Sequence, residues 1–198
     1  ITNVGDEVLT LTSACHPNLP ELGTREIPFT QEIFIDAADF SEEPPKGFKR
    51  LVLGGEVRLR HSYVIRCDEV LKNAAGEIVE LRCSADLNTL GKNPEGRKVK
   101  GVIQWVSATL GVPAEIRLYD RLFTQTDPES GESFLDCINP DAFKVTQAIV
   151  EPSLATAQPE ERFQFEREGY FVADLKDCVD GKLVFNKTVS LRDSWGGA

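Results

Sequence analysis

The chain contains no methionine and only two histidines and two tryptophans among its 198 residues. No apolar run approaches the roughly 18 to 20 residues that a spanning helix requires. The start, ITNVGDEVLT, has neither the basic segment nor the apolar stretch of a secretory leader. These absences lead us to expect a cytoplasmic, non-membrane protein. With Ile1 at the first position and no methionine anywhere, we expect either the tail of a longer polypeptide or a trimmed chain.

Clustered metal ligands are also missing. Cys15, Cys67, Cys83, Cys137 and Cys178 lie far apart, odd in number and without a CxxC, and only His16 and His61 could join them. Zinc sites and disulfide frameworks use tighter patterns, so the cysteines are expected to pack as small apolar groups. Phosphate loops are absent too. Gly54 and Gly55 match neither GxGxxG nor GxxxxGK[ST] and read as a turn. No nucleophile stands beside a base, and acids such as Glu42, Glu43, Glu160 and Glu161 sit in polar, loop-like stretches where solvation explains them.

What is present is period-two alternation, bounded again and again by Gly, Pro, Asn and Asp. Strands are expected over 25–35, 55–71, 77–87, 101–109, 114–123, 143–151, 162–175 and 182–193, with a turn around Gly76 and exposed loops over 124–133 and 154–161. Helix should be scarce. So many strands point to an all-β protein of two β-barrels, since barrels close their own edges. Gly111 and Pro113 mark the expected change between them.

The net charge is −10, yet residues 46–66 carry Lys46, Lys49, Arg50, Arg58, Arg60 and Arg66 against one acid, Glu56. Period two would put Arg58, Arg60 and Arg66 on one face of one strand. Such a row of guanidinium forks suits single-stranded RNA. The competing structural reading is an arginine ladder paired with acids of a neighbouring strand. A second basic stretch, 92–100, adds Lys92, Arg97, Lys98 and Lys100, which fit phosphate contacts. An ordinary basic hairpin loop would read the same way.

KRLVLGGEVRLRHSYVIR, GRKVKGVIQWVSA, EIRLYDRLF, FQFEREGYF and VFNKTVSLRDSW, in this order, resemble the C-terminal anticodon-binding region of bacterial-type glutaminyl-tRNA synthetases. The resemblance runs from about His16 to the end. It implies a proximal and a distal β-barrel of the ribosomal protein L25 kind, with 1–110 and 183–198 in the proximal one and 111–182 in the distal one. It also implies a monomer whose partner is the anticodon stem-loop of glutamine tRNA.

Residue by residue, the resemblance assigns Arg50 to the third anticodon base, a guanosine, with Lys49 beside it as a phosphate or base partner. Arg58 falls at the first base, a pyrimidine. Gln164 and Arg167 fall at the middle uridine, and Asn18 is a further contact. Gly47 departs from relatives that carry a polar side chain there. No catalytic residue is expected, because HIGH and KMSKS motifs do not occur. ATP, with Mg, would belong to a catalytic domain outside these residues, so this chain alone should be inactive. The alternatives are the corresponding region of a glutamyl-tRNA synthetase, an L25-type 5S rRNA-binding protein, or a module that docks an acidic protein.

Overall fold

Alternation of apolar and polar side chains builds nearly every element. The computed structural model describes residues 1–130 and 133–191. In chain order the strands are β1 (Leu9–Ala14), β2 (Thr24–Phe29), β3 (Ile33–Phe34), β4 (Glu56–Leu59), β5 (Val64–Lys72), β6 (Ile78–Asp86), β7 (Val102–Ile103), β8 (Val106–Ser107), β9 (Val112–Tyr119), β10 (Phe143–Val150), β11 (Arg162–Phe165), β12 (Gly169–Ala173) and β13 (Val184–Val189). Among the described residues helix is confined to short 3₁₀ turns, so the fold is all-β.

Two compact units result: Ile1–Gly111 with Glu151–Ser153, and Val112–Val150 with the chain from Leu154 onward. In the first unit β1 pairs with β2, β3 with β8, and a four-stranded sheet runs β6-β5-β4-β7. Its core packs Phe29 edge-on against Tyr63 at 5.3 Å and Trp105 at 5.2 Å, above fully buried Leu51, Val57, Leu59 and Ile103. In the second unit one sheet runs β10-β9-β13-β12-β11. Phe171, Val184 and Phe185 form the centre of its core.

Several sequence expectations are corrected. Residues 55–71 are not one strand but the hairpin β4–β5. Ser62 N–H donates to the Leu59 carbonyl at 2.9 Å, and His61 takes φ 57°, a conformation usually given to glycine or asparagine. Residues 162–175 likewise fold back as β11–β12, around Arg167 at φ 70°. Residues 25–35 break at Thr30, whose hydroxyl donates to the Glu32 carbonyl at 2.6 Å, and β1, outside the expected strands, pairs with β2.

The return of the last strand to the first unit is also corrected. β13 lies between β9 and β12, parallel to β9, because Val184 and Phe185 bury their side chains in the second core. Residues 131 and 132 of the expected 124–133 loop, and 192–198, including the RDSW of the last resembling block, lie outside the described residues.

Candidate nucleic-acid interface

The two basic stretches, 46–66 and 92–100, come together in the first unit. β7 runs parallel to β4 with Arg58 opposite Val102, and Arg58 N–H donates to the Gly101 carbonyl at 2.9 Å. Gly101 permits this approach: a Cβ there would stand 1.9 Å from the Lys49 carbonyl oxygen, closer than any side chain could lie. Lys49, Arg50, Arg66, Lys98 and Lys100 therefore line one cleft of about 530 Å³, with Glu56 as its only acid among the described residues.

That acid is already neutralised. Arg97 donates through Nε to Glu56 at 2.9 Å and through Nη2 to Asp86 at 2.7 Å. The Arg97 guanidinium holds the Asp86 carboxyl below its ordinary range, and the Glu56 carboxylate, with Asp86, pushes the Arg97 pKa up. Arg97 thus serves as a strap across β4, β6 and the 92–100 segment. The cleft keeps its net positive field, and Lys49, Lys98 and Lys100 are exposed with no ion pair among the described residues.

Arg50 is oriented from below. Its Nη1 lies 2.9 Å from Oδ1 of Asp39, whose side chain is 0% exposed, and donates to the Ala38 carbonyl at 2.9 Å. Nε and Nη2 make no hydrogen bond among the described residues. A guanidinium pinned on one nitrogen keeps the others aimed, which lowers the entropy lost on binding. Asp39 was missed by sequence reasoning because nothing in its spacing separates it from the neighbouring solvated acids.

Arg58 leaves β4 on the face opposite Val57 and Leu59, as alternation requires, but its guanidinium is bound internally. Nη1 donates to the carbonyls of Ser62 at 3.0 Å and Thr89 at 2.8 Å, and Nη2 donates to the Lys92 carbonyl. It closes the β4–β5 turn and the 89–92 loop together. Arg60 sits in that turn, where its carbonyl accepts from the Trp105 indole N–H at 2.9 Å. Arg66, on β5 opposite Glu56, is 3.6 Å from Asp68 and faces the cleft. The single arginine-bearing strand is therefore two strands and a turn. Asn18 lies on an exposed loop, its N–H donating to His16 Nδ1 at 3.1 Å, and lines neither this cleft nor the one beside Arg58.

Gln164 and Arg167 belong to the second unit. Phe163 and Phe165 of β11 turn toward the core, so Gln164 faces solvent, directly across the ladder from Tyr170 on β12. Arg167 occupies the intervening turn. Further along the same sheet the cation is neutralised. Arg117 contacts Glu115 at 2.8 Å, Asp174 at 3.2 Å and Asp177 at 2.6 Å.

Asp174 is the anchor of that network. It accepts from Asn186 Nδ2 at 2.7 Å and from the backbone N–H groups of Lys176 and Asp177, each at 2.9 Å. The Asn186 hydrogen bond first, then those amides, lowers its pKa from 3.8 to about 2. A carboxylate depressed on folding stabilises above its unfolded pKa and loses that contribution as pH falls through the folded one. Acid titration of the wild type between pH 4 and pH 2 should therefore show a loss of about 1 to 2 kcal/mol, after screening, that Asp174→Asn lacks. Identical acid profiles for the two proteins would contradict this. The measurement is urea unfolding followed at several pH values.

Family models identify these elements. Two models, each described as tRNA synthetases class I (E and Q), anti-codon binding domain, match residues 1–86 and 102–174. The chain is 68% identical over 185 residues to the glutamine–tRNA ligase of Ectopseudomonas mendocina (strain ymp), covering 91% of this chain and 33% of the relative. It is 63% identical over 195 residues to that of Stutzerimonas stutzeri (strain A1501), covering 96% and 35%. Against that of Pseudomonas aeruginosa (strain LESB58) it is 62% identical over 201 residues, covering 99% and 36%. The chain thus spans about a third of the length of the curated relatives it matches. With both of its units matched and its basic cleft inside the first, the chain belongs to the family of anticodon-binding domains of class I (E and Q) tRNA synthetases, and it aligns with glutamine–tRNA ligases within it.

Proposed function

We propose that this region binds the anticodon stem-loop of glutamine tRNA, so that the longer enzyme of which it is a part charges that tRNA with glutamine. The observation that carries the reading is the cleft of Lys49, Arg50, Arg66, Lys98 and Lys100 in a chain of net charge −10. A protein so acidic repels nucleic acid overall, and a local positive cleft attracts it at short range. The similarity to glutamine–tRNA ligases favours glutamine over glutamate tRNA.

Within this reading Arg50 reads the third base, a guanosine, through the nitrogens that Asp39 leaves available. Lys49, Lys98 and Lys100 hold phosphates, and Gln164 with Arg167 holds the middle uridine. Arg58 and Arg97 act by bracing the segments around the cleft rather than by donating to RNA, and Arg60 contributes a further RNA contact. Asn18 contributes a peripheral contact, and the region works as a monomer in the cytoplasm. The described residues offer no group of three His, Cys, Asp or Glu side chains able to hold a metal, and the sequence has no phosphate loop. In this proposal, ATP and Mg²⁺ belong to other parts of the longer enzyme.

The test is a binding titration of an isolated glutamine anticodon stem-loop at several salt concentrations. If Lys49, Arg66, Lys98 and Lys100 each neutralise one phosphate, the log-log slope should be roughly −3, at about −0.7 per phosphate. A flat response would mean that the cleft cations do not meet phosphate. Tight salt-sensitive binding to an acidic protein, without RNA binding, would favour the interaction-module alternative.

A further inference from the structure

Resting on the reading that Gln164 holds an anticodon base, we infer that Tyr170 is the stacking platform for that same base. A nucleotide read along its edge by an amide must leave its stack in the loop, and the lost contact has to be replaced on one face of the ring. The β11–β12 hairpin offers one surface for this. Gln164 and Tyr170 are direct cross-strand partners, so their side chains leave the same face, with Cβ atoms roughly 5 Å apart in such pairs.

The other aromatics of the hairpin cannot serve. Phe163, Phe165 and Phe171 pack into the core, Phe165 stacked on Phe171 at 4.4 Å and Phe163 edge-on to Phe185 at 5.7 Å. Tyr170 is 47% exposed, and its hydroxyl has no hydrogen-bond partner among the described residues. Its third-strand neighbour, Val189, is also exposed, so the tyrosine ring stands beside an apolar edge that a base face can cover. Gln164 fixes which base is bound, while Tyr170 adds affinity that is indifferent to base identity.

The experiment measures binding of the whole 198-residue chain to the glutamine anticodon stem-loop at one salt concentration. Tyr170→Leu should weaken binding roughly 5- to 150-fold, the range of one base–aromatic stack. Tyr170→Phe should bind as the wild type does. The loss in Tyr170→Leu should be the same for loops with uridine, cytidine or adenosine at the middle position, whereas Gln164→Ala should lose selectivity at that position. A 5-substituted fluorescent uridine placed there should be quenched by the wild type and not by Tyr170→Leu. Wild-type affinity in Tyr170→Leu, with Gln164→Ala still impaired, would overturn the stacking role and leave the reading of Gln164 standing. Wild-type affinity in both variants would overturn the two together. Should Tyr170→Leu prove unfolded by circular dichroism, absence of quenching in the wild type overturns the inference by itself.

Discussion

Arg58→Ala is expected to lower the stability of the first unit by about 2 to 4 kcal/mol, because one guanidinium satisfies three carbonyls that would otherwise lose charge-assisted partners. Those carbonyls belong to Ser62, Thr89 and Lys92, and Ser62 and Thr89 are buried. Thr89 is itself part of a chain of contacts, its hydroxyl accepting from Val64 N–H at 2.8 Å. Removing Arg58 therefore loosens the start of β5 as well as the 89–92 loop. Arg58→Lys should recover only part of the loss, since an ammonium lacks the planar fork that reaches separate carbonyls. Urea unfolding of the three proteins checks this. A variant that keeps full stability and loses only RNA binding would make Arg58 a base-reading residue, as the family resemblance implies.

Replacing Lys49, Lys98 and Lys100 together by alanine should weaken stem-loop binding roughly 100-fold near 0.1 M salt. The figure follows from about 0.7 log unit per phosphate contact at a tenfold distance from the 1 M reference. The same triple variant should melt within a degree or two of the wild type, because these side chains are exposed and make no ion pair among the described residues. Arg97→Ala offers the opposite pattern. It frees Glu56 and Asp86, so stability should fall and an acid should turn toward the cleft. Fluorescence anisotropy with a labelled stem-loop separates the cases. A loss under threefold in the triple variant would place the phosphates elsewhere.

Side-chain parity was legible in the sequence where one face is buried. Val57 and Leu59 are fully buried while Glu56 and Arg58 point outward, as alternation requires. Turns made without glycine or asparagine were not legible. His61 and Arg167 both adopt positive φ, and each converted an apparent long strand into a hairpin. Parity survives such a turn, which is why Arg66 still faces the cleft although it lies on β5 rather than on the strand of Arg58.

The site was legible as composition and opaque as pairing. Six cations beside one acid marked the segment, but charge counting cannot tell a strap from a ligand-facing cation. Arg97 and Arg58 are bound internally at 2.7 to 3.1 Å, whereas the lysines are not. Their partners, Glu56, Asp86 and three backbone carbonyls, lie up to 41 residues away in sequence. Asp39 beneath Arg50 and Tyr170 across from Gln164 were hidden for the same reason, since only the folded chain brings them alongside.

The most direct measurement compares stem-loops carrying guanosine and adenosine at the third anticodon position, bound to the wild type and to Arg50→Lys. Lysine is the informative replacement because it keeps a cation beside the fully buried Asp39 carboxylate, whereas alanine would remove that contact and confuse folding with recognition. The wild type should prefer guanosine by about 1 to 3 kcal/mol, the worth of a guanidinium fork on O6 and N7, and Arg50→Lys should lose most of this preference while retaining salt-sensitive binding. Equal affinity of the wild type for the two loops would contradict it.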